Sequence, residues 1–298
     1  MRNTGGVKVV SFGSLNYDLS IWLERLPGPD ETLRAQRMEA FSGGKGANQA
    51  TAAARLGADT HMVGCVGDDD RGRWLVEVLN ESGVDTSLVR IADEPTGTAV
   101  PLISPADVSI VIVAGANAST GVADADAAAE VIAAADVLLL QGEVGAAGAR
   151  KAAQAARSGG TTVLFNPAPV DPFLVEAVVP LTDVLVVNRA EQAQIESIGP
   201  ETGQFDIVLT LGGRGAQLDD VLVPSFPAEV VDPTGAGDAF CGALGVALAE
   251  ERPLIEAVRF ANAAGALAVQ TPGAQPSMPT RAEVSALLDG SPSGLSQK

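Results

Sequence analysis

The sequence predicts an α/β fold, with a mostly parallel central sheet covered by helices on both faces and a small β-sheet lid. From residue 124 onward, short apolar runs without alternation are separated by helical stretches, a pattern typical of parallel strands that are buried on both faces. Before that point, one pair of segments alternates polar and apolar residues, and a second pair has the pattern of a hairpin. Alternation predicts a second sheet with one face exposed.

The main body begins with β-rich runs at residues 7–13 and 60–67. Further along, the pattern predicts helices at 125–134, 146–157 and 172–178, and strands at 136–140, 161–166, 183–188 and 206–211. Ligands of such sheets bind beyond the carboxyl ends of the strands. Three residues at strand ends are therefore expected to share one cleft: Asn166, Asn188 and Gly212.

The lid is predicted from about residues 15–41 and 96–114. In the first stretch, alternating segments at 19–26 and 32–41 are split by a Pro-Gly-Pro-Asp turn, and such residues favour chain reversal. In the second, segments at 96–104 and 108–114 are joined by Pro105-Ala106-Asp107. We expect one domain over residues 1–298, with a disordered tail at 290–298.

Composition excludes several classes of function. Lys and Arg number 19 and Asp and Glu 37, a net charge of −18, which disfavours nucleic acid as a partner. No run approaches the roughly 20 apolar residues of a membrane helix, and the first residues do not resemble a signal peptide. We therefore expect a cytoplasmic protein without a membrane partner. Two distant cysteines and one histidine predict neither a disulfide framework nor a zinc site.

The segment Asp232-Pro-Thr-Gly-Ala-Gly-Asp238 precedes a helix of small residues. Its glycines and the helix start can direct backbone N–H groups at an anion, such as a transferring phosphoryl group. Asp238 could be only a favourable charge at a helix N-terminus. A carboxylate beside a phosphate site is also the group that takes the proton from an attacking hydroxyl.

The segment at residues 41–50, FSGGKGANQA, combines a glycine pair with two polar donors, Lys45 and Asn48. Glycines allow the backbone to approach a ligand closely, although a simple glycine turn before the helix at 47–56 would also fit. The segment is not a Walker A loop, because GxxxxGK[ST] does not occur in the chain.

Three polar residues follow predicted strands. Asn16 and Asp18 come after the run at 7–13, and Glu143 comes after the strand at 136–140. An Asx turn alone would explain the first pair. Carboxylates and amides also hold the paired hydroxyls of a sugar, so these residues fit a sugar pocket.

These segments resemble the ribokinase-like (PfkB) carbohydrate kinases. Both GGKGANQA at 43–50 and DPTGAGD at 232–238 match the signatures of that family. Further matches are GSLNYD at 13–18, GANA at 115–118, NPAP at 166–169, NxxE at 188–191, TLGxRG at 210–215 and GAQPSMP at 273–279. The resemblance spans about residues 7 to 290.

The resemblance implies ATP-dependent phosphorylation of the primary hydroxyl of a sugar, foremost D-ribose, giving ribose 5-phosphate. Asp238 would be the base, with Gly235, Ala236 and Gly237 as the anion hole. The implied sugar ligands are Asn16, Asp18, Gly44, Lys45, Asn48 and Glu143. The implied ATP site comprises Asn188, Thr210, Gly212, Gly215 and Asn262.

The resemblance also implies two ions and a partner. Glu191, with Asn188, would organise Mg²⁺ through water. An activating monovalent cation, usually K⁺, would bind at Asp232, Thr234, Ala268, Gly273 and Ser277. A homodimer formed through the lid is expected as well.

One segment departs from the family pattern, because only about a dozen residues separate Glu191 from Asp206. A helix on the nucleotide side is therefore expected to be short or missing. Two alternatives stay open at this stage. The acceptor could be deoxyribose, a ketohexose or a nucleoside, with Trp22 on the lid as the suggestive residue. A sugar-binding protein without catalysis is the other.

Overall fold

The computed structural model describes residues 6–105, 108–199 and 205–290. A nine-stranded sheet forms the centre, in the order β13-β12-β11-β10-β9-β8-β1-β4-β5. Its strands are β1 (Lys8–Phe12), β4 (Asp59–Gly67), β5 (Val84–Ala92), β8 (Val137–Gln141), β9 (Thr162–Asn166), β10 (Val184–Asn188), β11 (Asp206–Thr210), β12 (Ala216–Leu218) and β13 (Val221–Val223). The pairs from β5 to β11 are parallel, and β12 and β13 pair antiparallel at one edge.

Helices cover both faces of this sheet. They are α1 (Lys45–Arg55), α2 (Asp70–Glu81), α3 (Val122–Ala127), α4 (Ala129–Ala133), α5 (Ala146–Gly159), α6 (Pro172–Val178), α7 (Arg189–Ile198), α8 (Ala236–Ala249), α9 (Leu254–Ala268), α10 (Ala274–Ser277) and α11 (Arg281–Leu288). In β8, Val137 and Leu139 pack with α8 and α9, whereas Leu138 and Leu140 pack with α3 to α6. Strand β8 is apolar on both faces because both are covered.

A separate four-stranded sheet is formed by the segments predicted for the lid, in the order β3-β2-β6-β7. Its strands are β2 (Asn16–Trp22), β3 (Arg37–Gly43), β6 (Thr98–Ile103) and β7 (Val108–Val113). The two antiparallel hairpins, β2–β3 and β6–β7, are joined by parallel pairing of β2 with β6. The strand expected at 32–41 begins only at Arg37 and continues to Gly43. The linking residues Ala106 and Asp107 lie outside the described residues.

Most strands and helices predicted from the sequence are present, with corrections. The helix expected at 125–134 is divided into α3 and α4 at Ala128. Helix α7, expected to be short or missing, is present over ten residues, Arg189–Ile198, and Gly199 follows it in the left-handed conformation. Helix α2 and strand β5 were not predicted, and neither contains a run of buried residues. The tail expected beyond Gly290 lies outside the described residues.

Candidate active site

The amino end of α8 lies in a cleft between the large sheet and the small one. Gly235 precedes the helix with φ 79°, and a Cβ there would lie 2.8 Å from the Cα of Ala274. Only glycine adopts that conformation without strain. No side chain caps the first turn, and the space beside Gly237 is open to 4 Å. The first turn therefore offers uncapped N–H groups and the positive end of the helix dipole.

Asp238 lies in this first turn and is 5% exposed. Its Oδ2 accepts a hydrogen bond from Nδ2 of Asn48 at 2.8 Å, and its Oδ1 accepts one from Nε2 of Gln49 at 3.1 Å. Both amides belong to α1, which packs along α8. The structure thus brings together the two segments that the sequence singled out, and Asn48 does not point into solvent.

The predicted sugar residues converge on the same place from the small sheet. Asp18 on β2 faces Gly43 at the end of β3, where a Cβ would lie 2.1 Å from its Oδ2. Gly44, with φ 89°, turns the chain into α1. Glu143, beyond β8, accepts hydrogen bonds from the backbone N–H of Lys45 at 3.1 Å and from the hydroxyl of Ser14.

The electrostatics of this cluster are unusual for a surface cleft. Burial raises the pKa of Asp18 to about 7, and the nearby charges of Glu143 and Asp238 add to that rise. Lys45 opposes it, and Asp238 in turn raises the pKa of the Lys45 ammonium. One cation thus faces three carboxylates in a site able to hold several hydroxyl groups.

Asn16, the first residue of β2, is oriented by Asn117. The Nδ2 of Asn117 donates to Oδ1 of Asn16 at 2.7 Å and to the carbonyl of Leu15 at 3.0 Å, while its Oδ1 accepts from the N–H of Leu15 at 2.9 Å. The amide of Asn117 is therefore fully used in holding the link between the two sheets. Asn117 belongs to the GANA segment noted in the sequence, but its role as a scaffold residue was not predicted.

A pocket of about 500 Å³ opens on the other side of the amino end of α8. It is lined by four predicted nucleotide residues, Thr210, Gly212, Gly215 and Asn262, and by two residues of the predicted anion hole, Ala236 and Gly237. Its apolar wall includes Phe226, Val230 and Phe240, of which the first two belong to a loop that the sequence did not indicate. Its size and largely apolar lining suit a purine base.

Asn262 lines this pocket from α9, but its side-chain amide is hydrogen-bonded to the pocket wall. Its Nδ2 donates to the carbonyl oxygens of Val223 at 2.9 Å and Pro224 at 3.3 Å. Asn262 therefore holds the loop that follows β13 in place.

Asn188 and Glu191 form the cap of α7. The Oδ1 of Asn188 accepts from the N–H of Glu191 at 2.9 Å, and the Glu191 carboxylate accepts from the N–H of Asn188 at 2.8 Å, a capping box. Burial raises the pKa of Glu191, which Lys45 partly offsets. Asn166 and Asn188 are the last residues of β9 and β10, and Gly212 follows the adjacent strand β11. Of the three, only Gly212 lines the pocket.

The residues expected at a monovalent cation also come together. The carboxylate of Asp232 accepts from the N–H of Thr234 and from the N–H of Gly273, both at 2.9 Å. Ala268 ends α9 just before this loop, and the hydroxyl of Ser277 donates to the carbonyl of Ala274. The oxygen atoms of these residues are hard ligands, the type that alkali and alkaline-earth cations prefer.

Two buried glutamines, Gln49 and Gln141, belong to the site although the sequence analysis did not select them. Gln49 lies in the GGKGANQA segment, so its position beside predicted site residues could have identified it. Gln141 ends β8, and nothing in the local sequence distinguishes it. The single histidine, His61, lies on β4 between Asp59 and Asp85, away from the residues described above.

Comparison with known proteins shows similarity over nearly the whole chain. The model of the pfkB family carbohydrate kinases matches residues 7–281. A ribokinase from Bacillus subtilis is 38% identical over 298 residues, covering 97% of this chain and 100% of the relative. One from Haemophilus influenzae is 34% identical over 296 residues, covering 93% and 97%. The solved structure of Arabidopsis thaliana ribokinase complexed with ribose and ATP has a TM-score of 0.81 and 33% identity, covering 96% of this chain and 99% of that one.

Proposed function

We propose, because the chain belongs to the pfkB family of carbohydrate kinases, that it transfers the γ-phosphoryl group of ATP to the primary hydroxyl of D-ribose. The observation that carries this proposal is the position of Asp238. Its carboxylate lies between the polar cluster around Lys45 and the 500 Å³ pocket, in the uncapped first turn of α8. A hydroxyl on one side and a phosphate on the other would meet beside it.

The reaction follows from this arrangement. Asp238 takes the proton of the sugar hydroxyl as the hydroxyl oxygen bonds to the γ-phosphorus. The bond from that phosphorus to the β,γ-bridging oxygen breaks. ADP and ribose 5-phosphate result. The N–H groups around Gly235, Ala236 and Gly237 would stabilise the negative charge on the phosphoryl oxygens during transfer.

Sugar recognition is assigned to the cluster formed by the small sheet, α1 and Glu143. The Oδ1 atoms of Asp18 and Asn48 are buried without a hydrogen-bond partner among the described residues. Buried polar atoms of this kind are costly unless a ligand or water satisfies them. Sugar hydroxyls would do so, with Asn16, Gly44 and Lys45 completing the site. The small sheet, which carries Asn16 and Asp18, would act as the lid.

The nucleotide is assigned to the pocket beside Gly237. Thr210, Gly212, Gly215 and Asn262 would line its adenosine end, and Asn188 would approach the phosphates from the adjacent strand. Mg²⁺ is held in proteins by one or two carboxylates together with water and phosphates. The Glu191 carboxylate, with Asn188 beside it, fits such an ion, which would neutralise phosphate charge.

An activating monovalent cation, usually K⁺, is assigned to Asp232, Thr234, Ala268, Gly273 and Ser277. Asp232 already joins the loop before α8 to the loop before α10. A cation there would stabilise the segment that leads into the anion hole. Cytoplasmic localisation stays a prediction, supported by ATP as the cosubstrate.

A homodimer is proposed through the small sheet. Strand β7 forms its edge, and Ile110, Val111, Ile112 and Val113 are 46% to 60% exposed. An exposed apolar edge strand offers unpaired backbone groups and apolar side chains to a partner. Strand β7 of a second copy would pair with the backbone groups and cover the apolar side chains.

The base assignment is tested with Asp238→Asn. The amide cannot take the proton, so kcat should fall by about 100-fold to 10,000-fold, while ribose binding measured by calorimetry stays close to that of the wild type. Asp171→Asn serves as the control, because Asp171 only caps α6 and asparagine caps equally well. Near-normal turnover by Asp238→Asn would refute the assignment.

The acceptor is tested with a coupled assay of ADP release, run with and without K⁺ on ribose, 2-deoxyribose, a ketohexose and a nucleoside. Ribose should give the highest kcat/KM. A nucleoside base would need an apolar surface, and Trp22 already packs against Phe41 and the Arg37 guanidinium within the lid. Ribose binding without ADP formation from any acceptor would instead identify a sugar-binding protein.

A further inference from the structure

A chain of buried side chains leads to the carboxylate of Asp238 from the far side of α1. Nε2 of Gln141 donates to Oε1 of Gln49 at 2.9 Å, and Nε2 of Gln49 donates to Oδ1 of Asp238 at 3.1 Å. Both glutamines are 0% exposed. Both side chains are closed off from bulk solvent, and Oε1 of Gln141 has no hydrogen-bond partner among the described residues.

Chemistry fixes the direction of this chain. An ionised carboxylate only accepts hydrogen bonds, so Gln49 must turn its nitrogen toward Asp238 and its oxygen toward Gln141. Gln141 must then present its nitrogen to Gln49. At the far end, the hydroxyl of Ser11 donates to the carbonyl of Gly46 at 2.9 Å, which leaves its oxygen facing Nε2 of Gln141 at 3.4 Å. The backbone of α1 thus anchors the whole chain.

The two carboxylate oxygens of Asp238 consequently have different surroundings. Oδ1 faces Gln49 in the protein interior. Oδ2 accepts from Asn48, whose own Oδ1 is buried without a partner among the described residues. The unsatisfied atom marks the side on which a polar ligand belongs. Only Oδ2 is therefore placed to meet a sugar hydroxyl.

We propose that Gln49, held by Gln141, is a positioning residue that fixes Oδ1 of Asp238 as a hydrogen-bond acceptor and leaves Oδ2 to take the proton. The inference rests on the proposed function of Asp238 as the base. Without Gln49 the carboxylate can rotate about its Cβ–Cγ bond, and the reactive oxygen loses its alignment. Misplacement by about 1 Å costs on the order of 100-fold in rate.

The first test is Gln49→Met, which keeps the shape of the side chain and removes both polar atoms. We expect kcat to fall by about 10-fold to 100-fold, with the Kd for ribose unchanged. The loss should appear in kcat and not in the KM for ribose, because the position of the base affects the chemical step and not sugar binding. Thr51→Val is the matched control, since Thr51 is a buried polar residue of the same helix whose hydroxyl has no partner in the described structure.

Gln49→Glu covers the case in which the methionine variant does not fold. Glutamate can still accept from Gln141, but it donates to Asp238 only when protonated. Its kcat should therefore decline as pH rises through a range in which the wild type does not decline. A profile that parallels the wild type would overturn the proposal, as would unchanged kcat in Gln49→Met.

The dependence on Gln141 is tested with a double-mutant cycle. Gln141→Met should lower kcat in the wild-type background and have no further effect in Gln49→Met, because it acts only through Gln49. Losses that multiply would contradict the chain. Asp238→Asn is measured alongside: an active Asp238→Asn defeats the base itself, whereas an inactive one together with a normal Gln49→Met defeats only the role of Gln49.

Discussion

Asp18 carries a carboxylate into a site that already holds Glu143 and Asp238. Its pKa is raised from 3.8 to about 7, first because it is buried and then because of these two acids. A sugar would gain from this arrangement, since a carboxyl group that is protonated or ionised near neutral pH can either donate to or accept from a hydroxyl. At the scale of single residues, the site therefore holds acidic side chains that repel one another.

The consequence for stability has a definite sign. Folding raises the proton affinity of Asp18, so the folded state binds more protons between about pH 4 and pH 7 and its stability falls as pH rises through that window. Asp18→Asn removes this dependence. Urea unfolding from pH 5 to 8 should show the stability of the variant rising relative to that of the wild type by up to about 3 kcal/mol.

Glu31→Gln provides the control for this measurement. The hydrogen bond from Arg25 lowers the pKa of Glu31 to about 2. Glu31 therefore stays ionised in both the folded and the unfolded protein over most of the range from pH 5 to 8. The profile of Glu31→Gln should stay parallel to that of the wild type. If the profile of Asp18→Asn is parallel as well, the proposed shift at Asp18 is wrong.

At the scale of elements, the amino end of α8 offers two glycines with opposite requirements. Gly235→Ala should lower the free energy of unfolding by about 1–3 kcal/mol, because its positive φ and the nearby Ala274 oppose a side chain. Gly237→Ala should leave stability equal or higher by up to about 1 kcal/mol, since it lies within the helix and meets nothing within 4 Å. Its methyl group would nevertheless enter the space assigned to phosphate and raise the KM for ATP. Thermal unfolding and ATP kinetics measure both, and a normal KM in Gly237→Ala would count against the anion hole.

The start of α2 is tied to the small sheet through Asp69. Its carboxylate accepts from the N–H of Gly72 at 2.8 Å, as a helix cap, and from the N–H and the hydroxyl of Thr96 at 2.8 and 2.6 Å. Asp69→Ala should therefore destabilise the protein by about 2–4 kcal/mol, combining a lost cap with two lost hydrogen bonds. Asp171→Ala, which removes only the cap of α6, should cost about 1 kcal/mol. Equal losses in chemical unfolding would show that the contacts of Thr96 contribute nothing.

The elements that the sequence missed share a physical cause. Helix α2 buries only Gly72, Leu75 and Leu79 of its twelve residues, so its apolar stripe is narrow. Strand β5 lies at the edge of the large sheet and buries only its two end residues, Val84 and Ala92. Local pattern is weak at such edges, and pairing with β4 decides the conformation. Central strands such as β8, with four consecutive apolar residues at Val137–Leu140, are predicted without difficulty.

At the scale of the whole molecule, the edge of the small sheet determines the expected assembly. Ile110→Lys combined with Ile112→Lys places two charges on β7, which should convert the proposed dimer to a monomer because charges on an edge strand oppose pairing. Light scattering after size-exclusion chromatography measures the change.

The matched control for assembly lies at the other sheet edge. Val221→Lys combined with Leu222→Lys alters β13, whose two side chains are 49% and 53% exposed, and should leave the dimer intact. A wild type that is monomeric at high concentration, or a β7 variant that stays dimeric, would contradict the proposed interface.

Sequence by itself determined the parallel sheet, the lid strands and the two glycine-containing segments, because these depend on local period and residue type. Tertiary structure alone decided which side chains meet Asp238 and what charge surrounds Asp18. Gln49 is 189 residues from Asp238 and 92 from Gln141, and only the packing of α1 against both α8 and β8 brings the three together. Burial and proximity to other charges set proton affinity, and neither is defined until the chain has folded.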